Sequence, residues 1–304
     1  MLVSESLHLN ELPTRVAHQL LTVLHINARS TVNKQTALEA FFHDMDYCCD
    51  VIIFTETWCK HEQDIFFLNG HKTFSLNRQN MRGGGVSISR NHDCNIVPEF
   101  SMITQNFEIL TLASDRYLLS VVYRPPGSDT PSFFCFLEDY LRFACEERRP
   151  TIIAGDFNID MLSTCSATNE FNIILSDYGF RNLINVPTRV TSSSTTLLDL
   201  IITNSQFSSL LSEVLQTNIS DHLSVFLVFP YNEKRPKAYF FSQCITEEHL
   251  VAFEREIANT DWDFVFMRIL RKRMKYFLTP FKRYINLIFD RENISYQISV
   301  EALG

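Results

Sequence analysis

Short apolar runs alternate with polar segments over the first three quarters of the chain, and their lengths predict a mixed α/β fold. Eight runs of four to seven residues are rich in Val, Ile, Leu, Phe and Tyr, which is typical of buried strands. These predicted strands span residues 20–26, 50–55, 86–89, 107–112, 117–123, 151–154, 197–203 and 223–229. Apolar residues at helical spacing predict helices at 33–47, 131–145 and 168–178.

The order of these elements predicts how they pack. A strand, a helix and a strand come first, a run of strands follows, and helices then alternate with strands. That mixture fits a four-layer α-β-β-α sandwich, in which two mixed sheets pack face to face and helices cover the outer sides. We therefore expect one α/β domain over residues 20–230, preceded by an N-terminal lead over residues 1–19.

The chain changes character after Pro230. A polar linker occupies residues 231–237, and residues 267–283 hold seven Lys and Arg and no acidic residue. We interpret residues 231–304 as a linker followed by a basic C-terminal tail. The basic stretch fits a helix that faces nucleic acid, and it fits a solvated, poorly packed tail equally well.

Composition favours a folded, intracellular protein. Of the 304 residues, 45% are hydrophobic, which is enough for a sizeable core. No run of 18 apolar residues predicts a membrane span, and the polar start of the chain does not resemble a secretory signal. The eight cysteines lack C-x-x-C spacing, so we expect reduced thiols. The net charge of −8 argues against strong non-specific binding to nucleic acid, but a nuclease stays open because a bound cation would neutralise some acidic side chains.

Polar side chains follow two of the predicted strands, which places them at the rim of a sheet. Glu56 follows strand 50–55, where a carboxylate is a suitable Mg²⁺ ligand, although a single Glu in such a place is more often a solvated loop residue. Asp156 and Asn158 follow strand 151–154 at i, i+2 spacing, which in extended backbone turns both to one side. The carboxylate can orient or deprotonate a water, and the amide can donate to a phosphate oxygen. The alternative is a Gly-Asp turn in which the Asn stabilises its own backbone.

One acidic residue, Asp199, interrupts an apolar strand and needs a partner, because burying an unpaired carboxylate is costly. His222, at the start of the last strand, is the natural partner, since a carboxylate fixes the tautomer of an imidazole and raises its pKa. The alternatives are that Asp199 caps a turn or pairs with Arg29. Asn27 and Arg29 end the first strand and Tyr123 ends another, so these side chains join the same predicted rim.

Six short motifs carry these side chains in a fixed order along the chain. They are Asn27-Ala28-Arg29-Ser30, Thr55-Glu56-Thr57-Trp58, Tyr123-Arg124-Pro125-Pro126, Gly155-Asp156-Phe157-Asn158, Leu198-Asp199-Leu200-Ile201-Ile202-Thr203-Asn204 and Ser220-Asp221-His222. Together they resemble the endonuclease/exonuclease/phosphatase superfamily, and within it the apurinic-type endonuclease domain of non-LTR (LINE-type, jockey-like) retrotransposons. The combination is specific, whereas no single motif would be.

The resemblance implies a DNase-I-like sandwich and a metal-dependent phosphodiesterase. Such an enzyme nicks double-stranded DNA and leaves a 3′-hydroxyl that primes reverse transcription. The implied cofactor is Mg²⁺, for which Mn²⁺ can substitute. The implied place of action is the nucleus, without a membrane or a partner protein, and residues 231–304 resemble the truncated connection to a reverse transcriptase.

The resemblance also implies a role for each motif residue. The implied catalytic residues are Asp156, which would orient the attacking water, and Asp199, His222 and Tyr123. The implied phosphate-binding residues are Asn158, Arg29 and Ser220. The implied metal ligands are Glu56, Asn27 and Asp221.

Two alternative functions stay open at this point. One is another phosphodiesterase or phosphatase of the same scaffold, acting on phosphoinositides or sphingomyelin. Inositol phosphatases usually show a Trp-x-Asp-Arg-type block where this chain has Leu197-Leu198-Asp199-Leu200, which disfavours that branch. The other is an inactive transposon remnant. Target-site preference of an active endonuclease would come from surface loops such as 163–167 and 190–196.

Overall fold

Two six-stranded mixed sheets pack face to face in the computed structural model of the chain, and this confirms the predicted four-layer sandwich. The structure describes residues 20–45, 49–79, 83–206 and 211–230, and the single positions Val251, Arg255, Ala258 and Asn259. The chain divides into two compact units, Met1–Glu233 and Lys234–Gly304. The predicted lead at 1–19 and the basic stretch at 267–283 lie outside the described residues.

Fourteen strands are present in the described part of the chain. In chain order they are β1 (Leu20–Asn27), β2 (Val51–Thr55), β3 (His71–Leu76), β4 (Val86–Asn91), β5 (Val97–Ile103), β6 (Glu108–Ala113), β7 (Leu118–Tyr123), β8 (Thr151–Asp156), β9 (Arg181–Asn182), β10 (Arg189–Val190), β11 (Thr195–Thr196), β12 (Asp199–Thr203), β13 (Leu211–Leu215) and β14 (Ser224–Pro230).

Each large sheet is built around one parallel pair of strands. The first sheet has the order β13-β14-β1-β2-β4-β3, with β1 and β2 parallel. The second has the order β5-β6-β7-β8-β12-β9, with β7 and β8 parallel. The remaining pairs in both sheets are antiparallel, and β10 and β11 form a separate hairpin. The carboxyl ends of β1, β2, β7 and β8 therefore deliver their last residues to the rims of the two sheets.

Three α-helices cover the outer sides of the sheets. They are α1 (Gln35–Asp44), α2 (Thr130–Glu146) and α3 (Ser166–Asp177). Asp129 caps α2 by accepting a hydrogen bond from the Ser132 backbone N–H at 3.0 Å, which satisfies one of the unpaired donors of the first turn. None of the helices in the described segments combines the length and apolarity needed to cross a membrane.

The alternation of side chains along β1 decides what reaches the space between the sheets. Leu21 and Val23 belong to the large core that the two sheets share, whereas Leu24 and Ile26 pack on the side of α1. Because side chains two apart in a strand share a face, the side that carries Val23 continues into His25 and then Asn27. A buried apolar strand thus ends in two polar side chains inside the sandwich.

Six strands were missed by the sequence pattern: the two-residue strands β9, β10 and β11, which are too short to show a period, and the longer strands β3, β5 and β13. Each of the three longer ones lies at an edge of its sheet, and their residues are largely exposed or half-buried. An edge strand with little buried surface needs no apolar run, so periodicity gives no signal for it. The predicted strands and helices are all present, with ends that differ by up to three residues.

Candidate active site

Two carboxylates lie side by side on adjacent strands of the second sheet. Asp156 ends β8 and Asp199 begins β12, and the two residues are direct antiparallel partners with 0% exposure. Gly155 allows this arrangement, because a Cβ at that position would lie 1.8 Å from the carbonyl oxygen of Val122 on the neighbouring strand. Phe157, fully buried in ring contact with side chains of α2 and α3, anchors the chain just after Asp156.

Asp199 pairs with His222. Its Oδ2 lies 2.8 Å from Nδ1 of the imidazole, and its backbone N–H donates to the hydroxyl of Thr188 at 3.0 Å. Burial alone would lower the pKa of His222, but the hydrogen bond and charge of Asp199 outweigh it and raise the pKa to about 9. His222 is therefore an imidazolium at neutral pH, held with Nδ1 toward the carboxylate.

A second histidine, His25, lies on the other side of Asp199, and the sequence analysis missed it. Its Nδ1 is 3.9 Å from Asp199 Oδ1, and neither atom has a hydrogen-bond partner among the described residues. Its Nε2 lies 3.0 Å from the hydroxyl of Thr55. Complete burial lowers the pKa of His25 to about 4, so this ring is neutral. The shared face of residues 25 and 27 on the first strand was the signal that could have found it.

Asn27 joins the two sheets at the rim. Its side-chain nitrogen donates to Asp156 Oδ2 at 2.8 Å and to Glu56 Oε1 at 3.1 Å. Its Oδ1 accepts the backbone N–H of Arg29 at 3.2 Å. The carboxylates of Glu56 and Asp156 thus converge on one amide group, and burial together with neighbouring acidic charge raises the pKa of Asp156 well above its ordinary value.

This arrangement of oxygen donors fits a divalent cation. Two carboxylates that meet within hydrogen-bond reach of one atom repel each other, and a hard cation between them would relieve both the repulsion and the burial cost. Glu56 and Asp156 are the residues whose carboxylates would hold it. The predicted ligand Asn27 lies between them, but it directs its amide N–H at both carboxylates and its Oδ1 at the backbone N–H of Arg29. Ligand atoms of Asp156, Asp199 and His222 also lie within 4.8 Å of one another, but the last two are already hydrogen-bonded to each other.

The loop that carries Glu56 has an unusual backbone. Glu56 and Trp58 have positive φ values of 53° and 57°, a backbone conformation that residues other than glycine rarely adopt. The indole N–H of Trp58 donates to Glu56 Oε2 at 3.2 Å, so the side chain of Glu56 is held at both oxygens. Trp58 and the backbone around it were not recognised from the sequence as partners of Glu56.

Asn158 contacts Asp156 as predicted, but with a different backbone conformation. The strand ends at Asp156, and Asn158 has a φ of 46° rather than an extended backbone. Its backbone N–H donates to Asp156 Oδ1 at 3.0 Å, and its side-chain nitrogen donates to Asp156 Oδ2 at 3.2 Å and to the carbonyl of Arg124 at 2.7 Å. The prediction of extended backbone is therefore wrong, because these hydrogen bonds close a left-handed turn that keeps the two side chains in contact.

Tyr123 ends β7 beside Asp156. The two residues are partners in the parallel pair β7–β8, and Tyr123 is buried, with 4% of its surface exposed. Burial, followed by the negative charges of Glu56 and Asp156, raises the pKa of the phenol above its ordinary value. The hydroxyl is consequently a neutral donor next to the carboxylate pair.

Asp221 lies between two arginines. Arg29 Nη1 contacts its Oδ1 at 2.7 Å, and Arg189 contacts its Oδ2 through Nε and Nη2, both at 2.9 Å. Partial burial opposes ionisation, but the two guanidinium groups lower the pKa of Asp221 to about 2. Both oxygens of the predicted metal ligand are therefore engaged by cations, and Arg29 pairs with Asp221 and not with Asp199.

Ser220 ties the segment before His222 to the first strand. Its hydroxyl donates to the carbonyl of Asn27 at 2.6 Å and accepts the backbone N–H of His222 at 3.1 Å. The predicted site residues thus gather at one end of the sandwich. Arg29 and Asp221 form an ion-paired group there with Arg189, and the backbone N–H of Arg29 also donates to Asn27.

Comparison with known proteins gives a family match and several similar folds. Residues 23–222 match the Endonuclease/Exonuclease/phosphatase family. No curated protein matches the chain. The endonuclease domain of TRAS1, a telomere-specific non-LTR retrotransposon, is 15% identical, with 70% of this chain and 100% of that chain covered and a TM-score of 0.53.

Two further solved structures are similar to the chain. The 3′-5′ exonuclease NExo from Neisseria meningitidis is 16% identical over 69% of this chain and 100% of that chain, with a TM-score of 0.55. The AP endonuclease LMAP from Leishmania major is 14% identical over 70% of this chain and 88% of that chain, with a TM-score of 0.55. At these identities the likeness concerns the fold. The family match spans most of the sandwich and includes every residue of the site described above, and the chain belongs to the Endonuclease/Exonuclease/phosphatase family.

Proposed function

We propose that the protein is a Mg²⁺-dependent endonuclease that hydrolyses a phosphodiester bond of double-stranded DNA and leaves a 3′-hydroxyl. The observation that carries the proposal is the convergence of Glu56, Asn27 and Asp156 next to the Asp199–His222 pair. Oxygen donors for a hard cation and a buried imidazolium then reach the same phosphate, which is what metal-assisted attack by water requires.

The side chains of the site divide the chemistry between them. A divalent cation bound at Glu56 and Asp156 would polarise a phosphoryl oxygen and neutralise charge on the leaving 3′-oxygen. Asp156, held by three hydrogen bonds from Asn27 and Asn158, is placed to orient the attacking water and to receive its proton. Because Nδ1 of His222 is committed to Asp199, its Nε2–H donates to the phosphate and stabilises the charge that develops there.

Other residues would hold the substrate. The neutral phenol of Tyr123 offers a hydrogen-bond donor beside Asp156, and the half-exposed guanidinium of Arg29 offers a positive charge at the opening of the site. The Asn158 side chain holds the water-orienting carboxylate in place, since its amide nitrogen donates to Asp156 and to the carbonyl of Arg124. Ser220 acts on this view through Asn27 and His222, since its hydroxyl is bonded to the backbone of both.

A retrotransposon origin is the more specific part of the proposal. Its support is the set of six sequence motifs and the fold similarity to a domain described as the endonuclease of a non-LTR retrotransposon. A chain of this kind would act on chromosomal DNA and so in the nucleus. The nick it leaves would supply a primer for reverse transcription.

Nicking of a supercoiled plasmid tests the proposal. We expect conversion to the open-circular form with Mg²⁺ or Mn²⁺ and none with EDTA, and the nicked product should be extended by a DNA polymerase because its 3′ end is a hydroxyl. Asp156→Asn and His222→Ala should each lose more than about a hundredfold in rate. Asp139→Asn, which breaks an exposed ion pair on α2, is the matched control and should nick normally.

The same assay decides between this function and the other activities of the fold. Phosphatidylinositol phosphates, sphingomyelin and a 3′-phosphorylated oligonucleotide are tested in parallel with plasmid DNA. Equal nicking by wild type and both site variants would overturn the assignment of the site. Turnover of a lipid phosphate but not of DNA would replace the endonuclease by another phosphodiesterase.

A further inference from the structure

A buried ion pair between Arg78 and Glu108 lies outside the group of residues that would meet the substrate. Arg78 follows β3 and Glu108 begins β6, and their side chains are 6% and 0% exposed. Nε of Arg78 contacts Oε1 of Glu108, and the guanidinium Nη2 donates to the carbonyl of Thr104 at 2.9 Å. A buried ion pair is a poor source of stability, because desolvation offsets the attraction, so its place in the fold calls for another reason.

The ion pair supports a turn of glycines. The second carboxylate oxygen of Glu108 accepts the backbone N–H of Gly85 at 2.7 Å. A Cβ on Gly84 would lie 2.3 Å from Glu108 Oε1 and 2.7 Å from Cδ of Arg78, and its φ of +75° also favours glycine. The turn therefore lies directly on the two charged side chains, with no room for a side chain of its own.

The same turn holds the loop that carries Glu56. The carbonyl of Gly84 accepts the backbone N–H of Trp58 at 2.9 Å, and the carbonyl of Gly85 accepts that of Thr57 at 3.1 Å. Glu56 and Trp58 both have positive φ, a conformation that persists only when surrounding contacts determine it. The contacts run without a break from Glu108 through the glycine turn to the two residues that follow Glu56.

We propose that the Arg78–Glu108 ion pair is a positioning unit for Glu56: it fixes the glycine turn, and the turn fixes the Glu56 loop in the conformation that binds a divalent cation. The inference rests on the proposed function in its second half, because the cation belongs to the proposed active site. Its first half, the position of the loop, does not depend on any catalytic activity. Neither side chain touches substrate in this account, so neither is a catalytic residue.

The fluorescence of Trp58 is a direct probe of the conformation of the Glu56 loop. Its indole N–H bonds Glu56 Oε2, and the only other tryptophan of the chain is Trp262. In a Trp262→Phe background, the fluorescence signal comes from Trp58 alone. Its emission wavelength and its quenching by acrylamide in metal-free buffer measure how polar and how exposed its surroundings are, and both change when the loop moves. Titration with Mg²⁺ or Mn²⁺ alone then gives the affinity of the site for the cation.

Glu108→Gln is the test variant, because it keeps the shape of the side chain and removes the charge that Arg78 and the glycine turn share. We expect a changed emission and stronger quenching of Trp58 without metal, and about tenfold weaker binding of Mg²⁺, the usual range for loss of a support behind a metal ligand. Nicking at saturating Mg²⁺ should recover most of the wild-type rate. Asp139→Asn, which breaks the exposed pair with Arg142, is the control and should change none of these quantities.

Where Glu108→Gln fails to fold, Arg78→Met/Glu108→Gln replaces it, since removing both charges avoids a lone buried one. The same weaker Mg²⁺ binding and altered Trp58 signal are expected from it. A folded variant with the Trp58 signal and Mg²⁺ affinity of the control would overturn the proposal. If wild type itself neither nicks DNA nor binds Mg²⁺, the proposed function fails, while the metal-free Trp58 signal still decides whether the ion pair positions the loop.

Discussion

The replacement Asp199→Asn should separate the charge of the Asp199–His222 pair from its shape. The hydrogen bond of 2.8 Å and the charge of Asp199 raise the pKa of His222 from 6.5 to about 9 against the effect of burial. That difference corresponds to about 3 kcal/mol in favour of the imidazolium. Asparagine keeps the size of the side chain but not its charge, while the ring stays buried. We therefore expect the pKa of His222 to fall to its ordinary value or below.

The lower pKa should change both stability and activity with a defined sign. Because the pKa of His222 is higher in the folded than in the unfolded protein, its stabilising contribution is complete below pH 6.5 and is lost as the pH rises through about 9. In Asp199→Asn, this loss of stability between pH 6.5 and about 9 should disappear. At pH 7.5 only about a tenth of the variant would carry an imidazolium, so nicking should fall about tenfold or more and partly recover near pH 6.

Two measurements check this prediction. The titration of His222, followed by NMR of the imidazole nitrogens, gives the pKa directly in wild type and in Asp199→Asn. Nicking rates from pH 5.5 to 9.5 at saturating Mg²⁺ give the functional counterpart, with Asp139→Asn as the control. A pKa of His222 that stays within one unit of the wild-type value, or an unchanged pH profile, would show that the charge of Asp199 does not set the protonation state of His222.

Two further substitutions test the geometry around the site. Gly155→Ala should lower the free energy of unfolding, measured in urea, by about 3 kcal/mol or more, because its Cβ would meet the backbone of Val122. Gly127→Ala is the control: it has open space around it and should lose about 1 kcal/mol for its φ of +72° alone. Equal losses in the two variants would contradict the predicted clash. Arg189→Ala should weaken the binding of DNA in EDTA, since its guanidinium lies beside Asp221 at the opening of the site. The slope of the logarithm of the binding constant against the logarithm of the salt concentration should become shallower by about one phosphate contact. An unchanged slope would exclude Arg189 from the DNA interface.

The sequence predicted the centre of this fold better than its edges. Strands β8, β12 and β14 are apolar runs because both of their faces are covered, and each has a polar site residue at one end or just before its start. The polar end of a buried strand predicted the position of Asp156 and His222 in the site, and the cost of a buried carboxylate predicted a partner for Asp199. Edge strands such as β5 bury little and leave no such pattern.

What the sequence could not predict are contacts set by tertiary packing. Nothing near Asp221 indicates that Arg29 and Arg189 occupy both of its oxygens, since they come from 192 and 32 residues away. The left-handed turn at Asn158 depends in part on a hydrogen bond to the backbone carbonyl of Arg124, 34 residues earlier. A one-residue property such as charge or apolarity carries no information about partners of this kind.

The most direct test of the central claim is a crystal structure of the protein soaked with Mn²⁺, with the ion located by its anomalous scattering. We expect one strong peak bonded to the carboxylate of Glu56 and next to Asp156, with the imidazole of His222 facing the same opening. A peak bound elsewhere, or no peak at these residues in crystals of a protein that nicks DNA with Mn²⁺ in solution, would contradict it.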